Sequence, residues 1–140
     1  MDINSLDRFI EAQEQTYQIA LMELRDRKKR SHWMWYIFPQ LRGLGMSSKS
    51  HIYGISGLDE AKAYLEHPLL SGRLYELCGV LLEYKDKTAY EIFGDIDEMK
   101  LKSSMTLFAL TSEDYTIFDE VLDCFFNGEM DEVTVKLING

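Results

Sequence analysis

The chain has 140 residues, of which 46% are hydrophobic, and its formal net charge is −9. This length predicts one domain over residues 1–140, and the apolar content is enough for a real core. The acidic balance argues against general nucleic-acid coating, and no apolar run approaches the roughly 18 residues of a membrane span.

Apolar side chains recur at helical spacing throughout the chain, and the period-2 alternation of strands is hard to find. Capping patterns such as Thr88 with Glu91 indicate helix starts, and glycines such as Gly94 indicate helix ends. The sequence therefore predicts an all-α fold, a compact irregular multi-helix single domain rather than a regular bundle. The predicted helices, in chain order, span residues 4–13, 15–28, 31–38, 47–53, 57–66, 68–84, 88–93, 95–110, 115–127 and 131–138.

Further residues predict where particular helices begin. Asn4 and Ser56 each precede an acid by three positions, as in a capping box. Pro68 suits a first helical position, because proline loses no hydrogen bond there. Asp131 is placed to cap the last helix.

Residues 25–49 differ in composition from the rest of the chain. Seven of the 15 basic residues lie there against one acid, Asp26, together with both tryptophans, Trp33 and Trp35. Cationic and aromatic side chains at this density are typical of a site for an anionic or planar ligand. At least two aromatic side chains of residues 33–38 are expected in the core, which leaves a tryptophan to line a pocket.

His32 is the first candidate catalytic residue. It follows Ser31, a possible helix N-cap, and the neighbouring positive charges favour a neutral imidazole that can act as a base. The alternative is a histidine that only orders its loop. Arg30, Trp35 and Gln40 are candidate ligand-binding residues, for an anion, a planar group and a polar edge respectively.

Lys100, Ser103 and Ser104 form a second candidate group. The lysine precedes the serines by three and four positions, so all three share neighbouring surface on one helix. A lysine flanked by hydroxyls suits an anion, and the same spacing allows a Ser/Lys nucleophile pair. Lys100 and Ser103 are therefore candidate catalytic residues, and Ser104 is a candidate ligand contact. Alternatively, the serines bond to their own helix and Lys100 pairs with Asp97.

Metal binding has little sequence support. His32, His51 and His67 are far apart, and neither His-x-x-x-His nor Cys-x-x-Cys spacing occurs. No phosphate-binding glycine motif is present, so no cofactor is assigned. Cys78 and Cys124 lie in apolar, helix-like contexts and are predicted to be buried, reduced thiols. Without a signal-peptide pattern, the expected location is the cytoplasm.

Two long, unusual strings resemble the signature of the DUF1810 family, and shorter pieces at 9–13, 53–55, 64–69 and 91–94 match it as well. The strings are Ser31-His32-Trp33-Met34-Trp35-Tyr36-Ile37-Phe38-Pro39-Gln40 and Lys100-Leu101-x-Ser103-Ser104-Met105-Thr106-Leu107-Phe108. The resemblance implies a small, mostly helical, bacterial cytoplasmic protein, and it supplies no activity. Some family members carry the label calpastatin. Such an inhibitor is largely disordered, whereas this chain is patterned for a packed core.

Three functions remain open. The first is a pocket for an anionic, partly planar small molecule such as a nucleotide derivative, with or without catalysis. It requires residues 25–49 to meet the Lys100 helix at a solvent-accessible cavity. The second is a protein- or single-stranded nucleic-acid interaction module that uses residues 25–49. The third is a motif that mainly builds the fold. The sequence predicts no particular protein partner and no oligomeric state.

Overall fold

The computed structural model describes residues 5–83 and 85–140. Within those residues the chain is a single all-α domain, as predicted, and one isolated β-bridge joins Leu41 to Ile55. The helices are α1 (Asp7–Arg25), α2 (Met34–Ile37), α3 (Ser48–Tyr53), α4 (Leu58–Glu66), α5 (Pro68–Glu83), α6 (Ala89–Thr111), α7 (Ile117–Phe126) and α8 (Glu132–Asn139).

Helix α1 is continuous where the sequence pattern predicts two helices, at 4–13 and 15–28. The predicted break is wrong. Glu14 is a good helix former, and neither glycine nor proline interrupts the segment. A single helix of 19 residues therefore forms the long edge on which α2 and α5 pack.

Helix α1 also ends earlier than predicted, at Arg25. The amide of Arg27 donates to the carbonyl of Leu24, and the amide of Lys28 donates to that of Glu23, both at 3.0 Å. These are the two bonds of a Schellman motif. Arg27 takes the left-handed position, with φ 59°, where glycine is usual. The helix end thus carries no glycine signal in the sequence.

Side-chain caps begin other helices as predicted. At the start of α6, the amide of Glu91 donates to Thr88 Oγ1 at 3.1 Å and the amide of Thr88 donates to Glu91 Oε1 at 2.9 Å. Asp131 caps α8 by accepting from the amide of Thr134 at 3.0 Å. Pro68 is the first residue of α5.

Two predicted caps are wrong and one cannot be placed. Ser56 does not cap α4; instead Glu60 reaches back and accepts from the amide of Ser56 at 2.9 Å. Ser31 caps no helix, because α2 begins only at Met34. Asn4 lies outside the described residues.

A glycine bends α6 within its first third. Gly94 has φ 82° and ψ 171°, which separates two helical segments that match the predicted helices at 88–93 and 95–110. A Cβ added at Gly94 would meet no atom within 4 Å, so the backbone conformation alone explains the glycine. The bend directs the segment that carries Asp97 and Lys100.

The core gathers on the second segment of α6, which packs against α4, α7 and α8. From Leu101 to Ala109 every residue except Lys102 is buried. Trp33 and Phe38 are also buried, which confirms that at least two aromatic side chains of the 33–38 segment belong to the core.

The two cysteines differ. Cys78 is a free, buried thiol, as predicted, whereas Cys124 is a free, exposed one. The prediction for Cys124 is wrong because the buried stripe of α7 runs through Phe118, Val121 and Leu122 and leaves position 124 outside it.

Two buried polar side chains of α1 bond to the backbone of α2 and α3. The Arg8 guanidinium donates to both carboxylate oxygens of Glu60, at 2.8 and 3.1 Å, and to the carbonyl of Ile52 at 2.7 Å. The Gln13 amide donates to the carbonyl of Tyr36 at 2.7 Å. Together these contacts fix α2 and the end of α3 against α1.

Candidate functional site

Glu23 of α1 organises the segment that precedes α2. Its carboxylate is buried and accepts from the amides of Arg30 at 2.8 Å and Ser31 at 3.0 Å, from the Ser31 hydroxyl at 2.5 Å and from the Trp33 indole at 2.9 Å. Burial alone would raise the pKa of this carboxyl, but the four hydrogen bonds outweigh it and lower the pKa to about 2. Glu23 therefore stays ionised and fixes residues 30–33 on α1.

The motifs and charge pattern of the sequence do not single out Glu23. The signal that could have found it is its place three residues after Ala20 and beside Leu24, on the apolar side of α1. A carboxylate on a buried face needs donors from elsewhere in the chain. Such donors come here from the loop that follows the helix, which begins with the Schellman turn.

Lys29 ties the same loop to α6. Its ammonium lies 2.8 Å from Asp97 Oδ2, donates to the carbonyl of Ser31 at 2.5 Å, and sits 4.9 Å from the centroid of the Trp33 ring. The Lys29 amide donates to the carbonyl of Ile92 at 2.8 Å. These contacts place the basic and aromatic segment directly against the later helix.

The Trp35 cluster, defined as Trp35, Lys49, Lys100 and Asp97, lies where three helices meet. The ammonium of Lys100 is 4.6 Å from the centroid of the Trp35 ring, and that of Lys49 is 4.9 Å from it. Lys100 also lies 3.8 Å from Asp97 Oδ1. Trp35 is half-buried and Lys49 is exposed, so solvent reaches the cluster. The structure thus brings together two of the predicted site residues, Trp35 and Lys100.

The two candidate serines lie inside the protein. Ser103 is buried and its hydroxyl donates to the carbonyl of Met99 at 3.1 Å, which is the alternative interpretation of this residue. Ser104 is completely buried, and its hydroxyl has no hydrogen-bond partner among the described residues. Lys100 pairs with Asp97, as the same alternative expects.

The other candidates stand apart from the Trp35 cluster. His32 is exposed, and its carbonyl accepts from the Tyr36 hydroxyl at 3.5 Å. Arg30 forms an exposed ion pair with Asp26 at 2.7 Å. Gln40 is half-buried, and its carbonyl accepts from the amide of Ile55 at 2.9 Å. In the described part of the chain, none of these three side chains bonds to or pairs with Trp35 or Lys100.

A surface depression of about 340 Å³ adjoins the cluster through Lys49. Its aromatic lining is Tyr36 and Tyr53, whose rings meet edge to face with centroids 5.1 Å apart. Four other depressions on the described residues have volumes of about 480–720 Å³. His32, Lys100 and Ser103 line none of these five, so they do not share one of these cavities.

Across residues 5–83 and 85–140, no three His, Cys, Asp or Glu side chains are grouped so that they could hold a metal ion. Within the same ranges, no helix is both long enough and apolar enough to cross a bilayer.

Comparison with known proteins gives the chain a family but no activity. The crystal structure of the conserved hypothetical protein Rv1873 from Mycobacterium tuberculosis is 45% identical in sequence and has a TM-score of 0.95, with 99% of each chain covered. No curated protein matches the chain. Residues 3–138 match DUF1810, described as a protein family of unknown function. Because this match spans nearly the whole sequence, the chain belongs to the DUF1810 family.

Proposed function

We propose that the Trp35 cluster binds an anionic, partly planar small molecule, such as a nucleotide. One observation carries the proposal. A half-buried tryptophan has the ammonium groups of two other helices, from Lys49 and Lys100, within 5 Å of its ring centroid. An indole beside two ammonium groups offers a stacking face and charge for an anion at one place.

Electrostatics favours an anion at this cluster. Lys49 and Lys100 bring two ammonium groups to the Trp35 ring, while Asp97 supplies one carboxylate, which contacts Lys100 and, outside the cluster, Lys29. The cluster is therefore positive within a chain of net charge −9. An exposed cation–π contact is worth only about 0.5–1 kcal/mol. A ligand ring that displaced Lys49 from Trp35 would lose little, and the freed ammonium could then pair with a phosphate.

The adjoining depression supports a ligand of modest size. Its volume of about 340 Å³ lies at the low end of the roughly 300–1,000 Å³ typical of small-molecule pockets. Lys49 belongs to both the depression and the cluster, so a ligand that contacts Tyr36 and Tyr53 would place its anionic group at Lys49, away from Glu11 in the same lining. The catalytic roles of His32, Lys100 and Ser103 remain predictions, and binding alone is proposed.

A thermal-shift screen with nucleotides and phosphorylated metabolites, followed by calorimetry on the best compound, tests the site. We expect binding to weaken at least tenfold in Lys100→Met and Lys49→Met, which keep side-chain length but remove charge. Trp35→Phe should keep the fold and lose part of the affinity. The matched control is Lys62→Met on α4, because Lys62 is exposed and outside the cluster. Equal affinity in all four variants, or no compound that stabilises the wild type, would refute the proposal.

We also propose a bacterial origin and a cytoplasmic location. The 45% identity to a mycobacterial protein supports the origin. Two free thiols, one of them exposed, support a reducing compartment.

A further inference from the structure

A basic depression separates the end of α1 from the start of α6. Its volume is about 720 Å³, and its cationic lining is Arg25, Arg27, Lys28 and Lys87. The remaining lining residues are Asp26, Tyr90 and Glu91. Four cations in one depression are unusual for a chain of net charge −9, which indicates that they have a structural or a binding role.

The four cationic side chains are not needed to end helix α1. The carbonyls of Glu23 and Leu24 already accept the backbone amides of Lys28 and Arg27. Arg27 occupies the left-handed position that glycine fills with less strain. A basic side chain therefore stands where the backbone alone would favour glycine, and strained residues of this kind gather at functional sites.

Internal ion pairs do not neutralise the depression. Arg27 contacts Asp86 at 2.9 Å and Lys87 contacts Glu91 at 3.9 Å, and all four side chains are substantially exposed. Asp26 is engaged by Arg30, which does not line the depression. Arg25 and Lys28 are exposed and form no ion pair with any described residue. At least two positive charges are thus available to an outside anion.

Tyr90 adds an aromatic surface to these charges. It lies on the first turn of α6 and is 61% exposed, although it carries a large ring. We propose that this depression binds a short stretch of single-stranded nucleic acid, with phosphates at Arg25 and Lys28 and one base stacked on Tyr90. An acidic peptide would use the same cations but would gain little from the ring, so Tyr90 favours nucleic acid. The acidic remainder of the chain keeps the binding local and weak.

Fluorescence anisotropy with a labelled eight-nucleotide single strand tests the proposal. Each phosphate contact contributes about −0.7 to the salt slope for single strands. With two to four contacts, raising monovalent salt from 50 to 200 mM should weaken binding by about 7- to 50-fold. Arg25→Gln with Lys28→Gln should abolish most binding and flatten the slope. Tyr90→Ala should weaken binding severalfold and leave the slope unchanged.

Two controls separate this site from the Trp35 cluster. Lys62→Gln with Lys136→Gln removes the same charge from exposed positions on α4 and α8 and should leave the affinity unchanged. Lys100→Met should also bind the oligonucleotide normally, which separates failure here from failure of the proposed small-molecule site. Two results would overturn the inference. One is affinity that is indifferent to the paired Arg25 and Lys28 substitutions. The other is a poly-glutamate peptide that binds at least as tightly as the oligonucleotide and is unaffected by Tyr90→Ala.

Discussion

Glu23 is a charged side chain inside the protein, and its contribution to stability depends on its ionisation. Its pKa is lowered from 4.5 to about 2 in the fold. A lowered folded-state pKa stabilises the protein fully above pH 4.5, and the contribution is lost as the pH falls through 2. Since one pKa unit corresponds to about 1.4 kcal/mol, the full contribution is about 3 kcal/mol.

Glu23→Gln should therefore destabilise the protein most at neutral pH. The glutamine retains one acceptor oxygen but lacks the charge, so we expect a loss of about 2–3 kcal/mol at pH 6. Urea unfolding at pH 6 and pH 3.5 should show the gap to wild type narrowing by about 1 kcal/mol at the lower pH. Glu66→Gln, at an exposed position on α4, is the control. A difference in the free energy of unfolding between wild type and Glu23→Gln that is the same at both pH values would contradict the stabilising role of ionised Glu23.

Ser104 presents the opposite case, a buried hydroxyl without a partner among the described residues. Ser104→Ala should leave the free energy of unfolding unchanged or raise it by up to about 1 kcal/mol, because an unsatisfied polar group is removed. Ser103→Ala, which removes a hydroxyl bonded to its own helix, is the comparison and should change little. Destabilisation of Ser104→Ala beyond about 1 kcal/mol would mean that the hydroxyl has a partner in solution.

At the scale of helices, the predicted and observed bounds agree within two residues from α3 onward, whereas the bounds predicted before residue 39 differ by up to three residues and include a break that α1 lacks. Thr88 and Asp131 predict the helices that they cap, because a capping side chain bonds to a backbone amide only two or three residues further along the chain. Gly94 also predicts the bend in α6, since few residues other than glycine adopt its backbone angles. The end of α1 cannot be predicted from the sequence, because Arg27 occupies the left-handed position where a glycine is expected. In the site, Trp35 and Lys100 stand out by residue type, whereas Glu23 is recognised only by the hydrogen bonds that it accepts from the loop after α1.

Arg27→Gly tests the helix end. The left-handed conformation disfavours arginine by about 1–2 kcal/mol, while glycine adds unfolded-state entropy and the change removes an exposed ion pair worth at most about 1 kcal/mol. We expect a protein of equal stability or up to about 1 kcal/mol more stable in urea unfolding. Arg27→Ala keeps the strain and loses the contacts, so it should be the less stable variant. The reverse order would show that the side chain outweighs the backbone strain.

Gly94→Ala tests the bend in α6. No atom obstructs a Cβ there, so the expected loss of about 1–3 kcal/mol comes from backbone conformation alone. Gly79→Ala, in the interior of α5 with equally open space and no positive φ, should stabilise instead. Thermal unfolding followed by circular dichroism distinguishes the two. A neutral Gly94→Ala would mean that the bend relaxes easily and does not hold Asp97 and Lys100 in place.

At the scale of the whole molecule, the two thiols differ in burial and should therefore react with a thiol reagent at different rates. Burial raises the pKa of the Cys78 thiol, and the side chain is completely enclosed. Cys124 is exposed on α7. A thiolate must form and meet the reagent, so Cys78 can react only when the core opens.

A native-state labelling experiment with an aromatic disulfide reagent should accordingly show one fast thiol and one slow thiol. We expect the slow phase to follow global opening, with a rate that rises in step with urea below the unfolding transition. Cys124→Ser should remove the fast phase and leave the slow one intact. Two fast thiols in the native protein would show that α5 separates from α1, α4 and α7 without unfolding the rest. Since α5 packs on α1, α4 and α7 together, the enclosed thiol reports on the cooperativity of the entire helical domain.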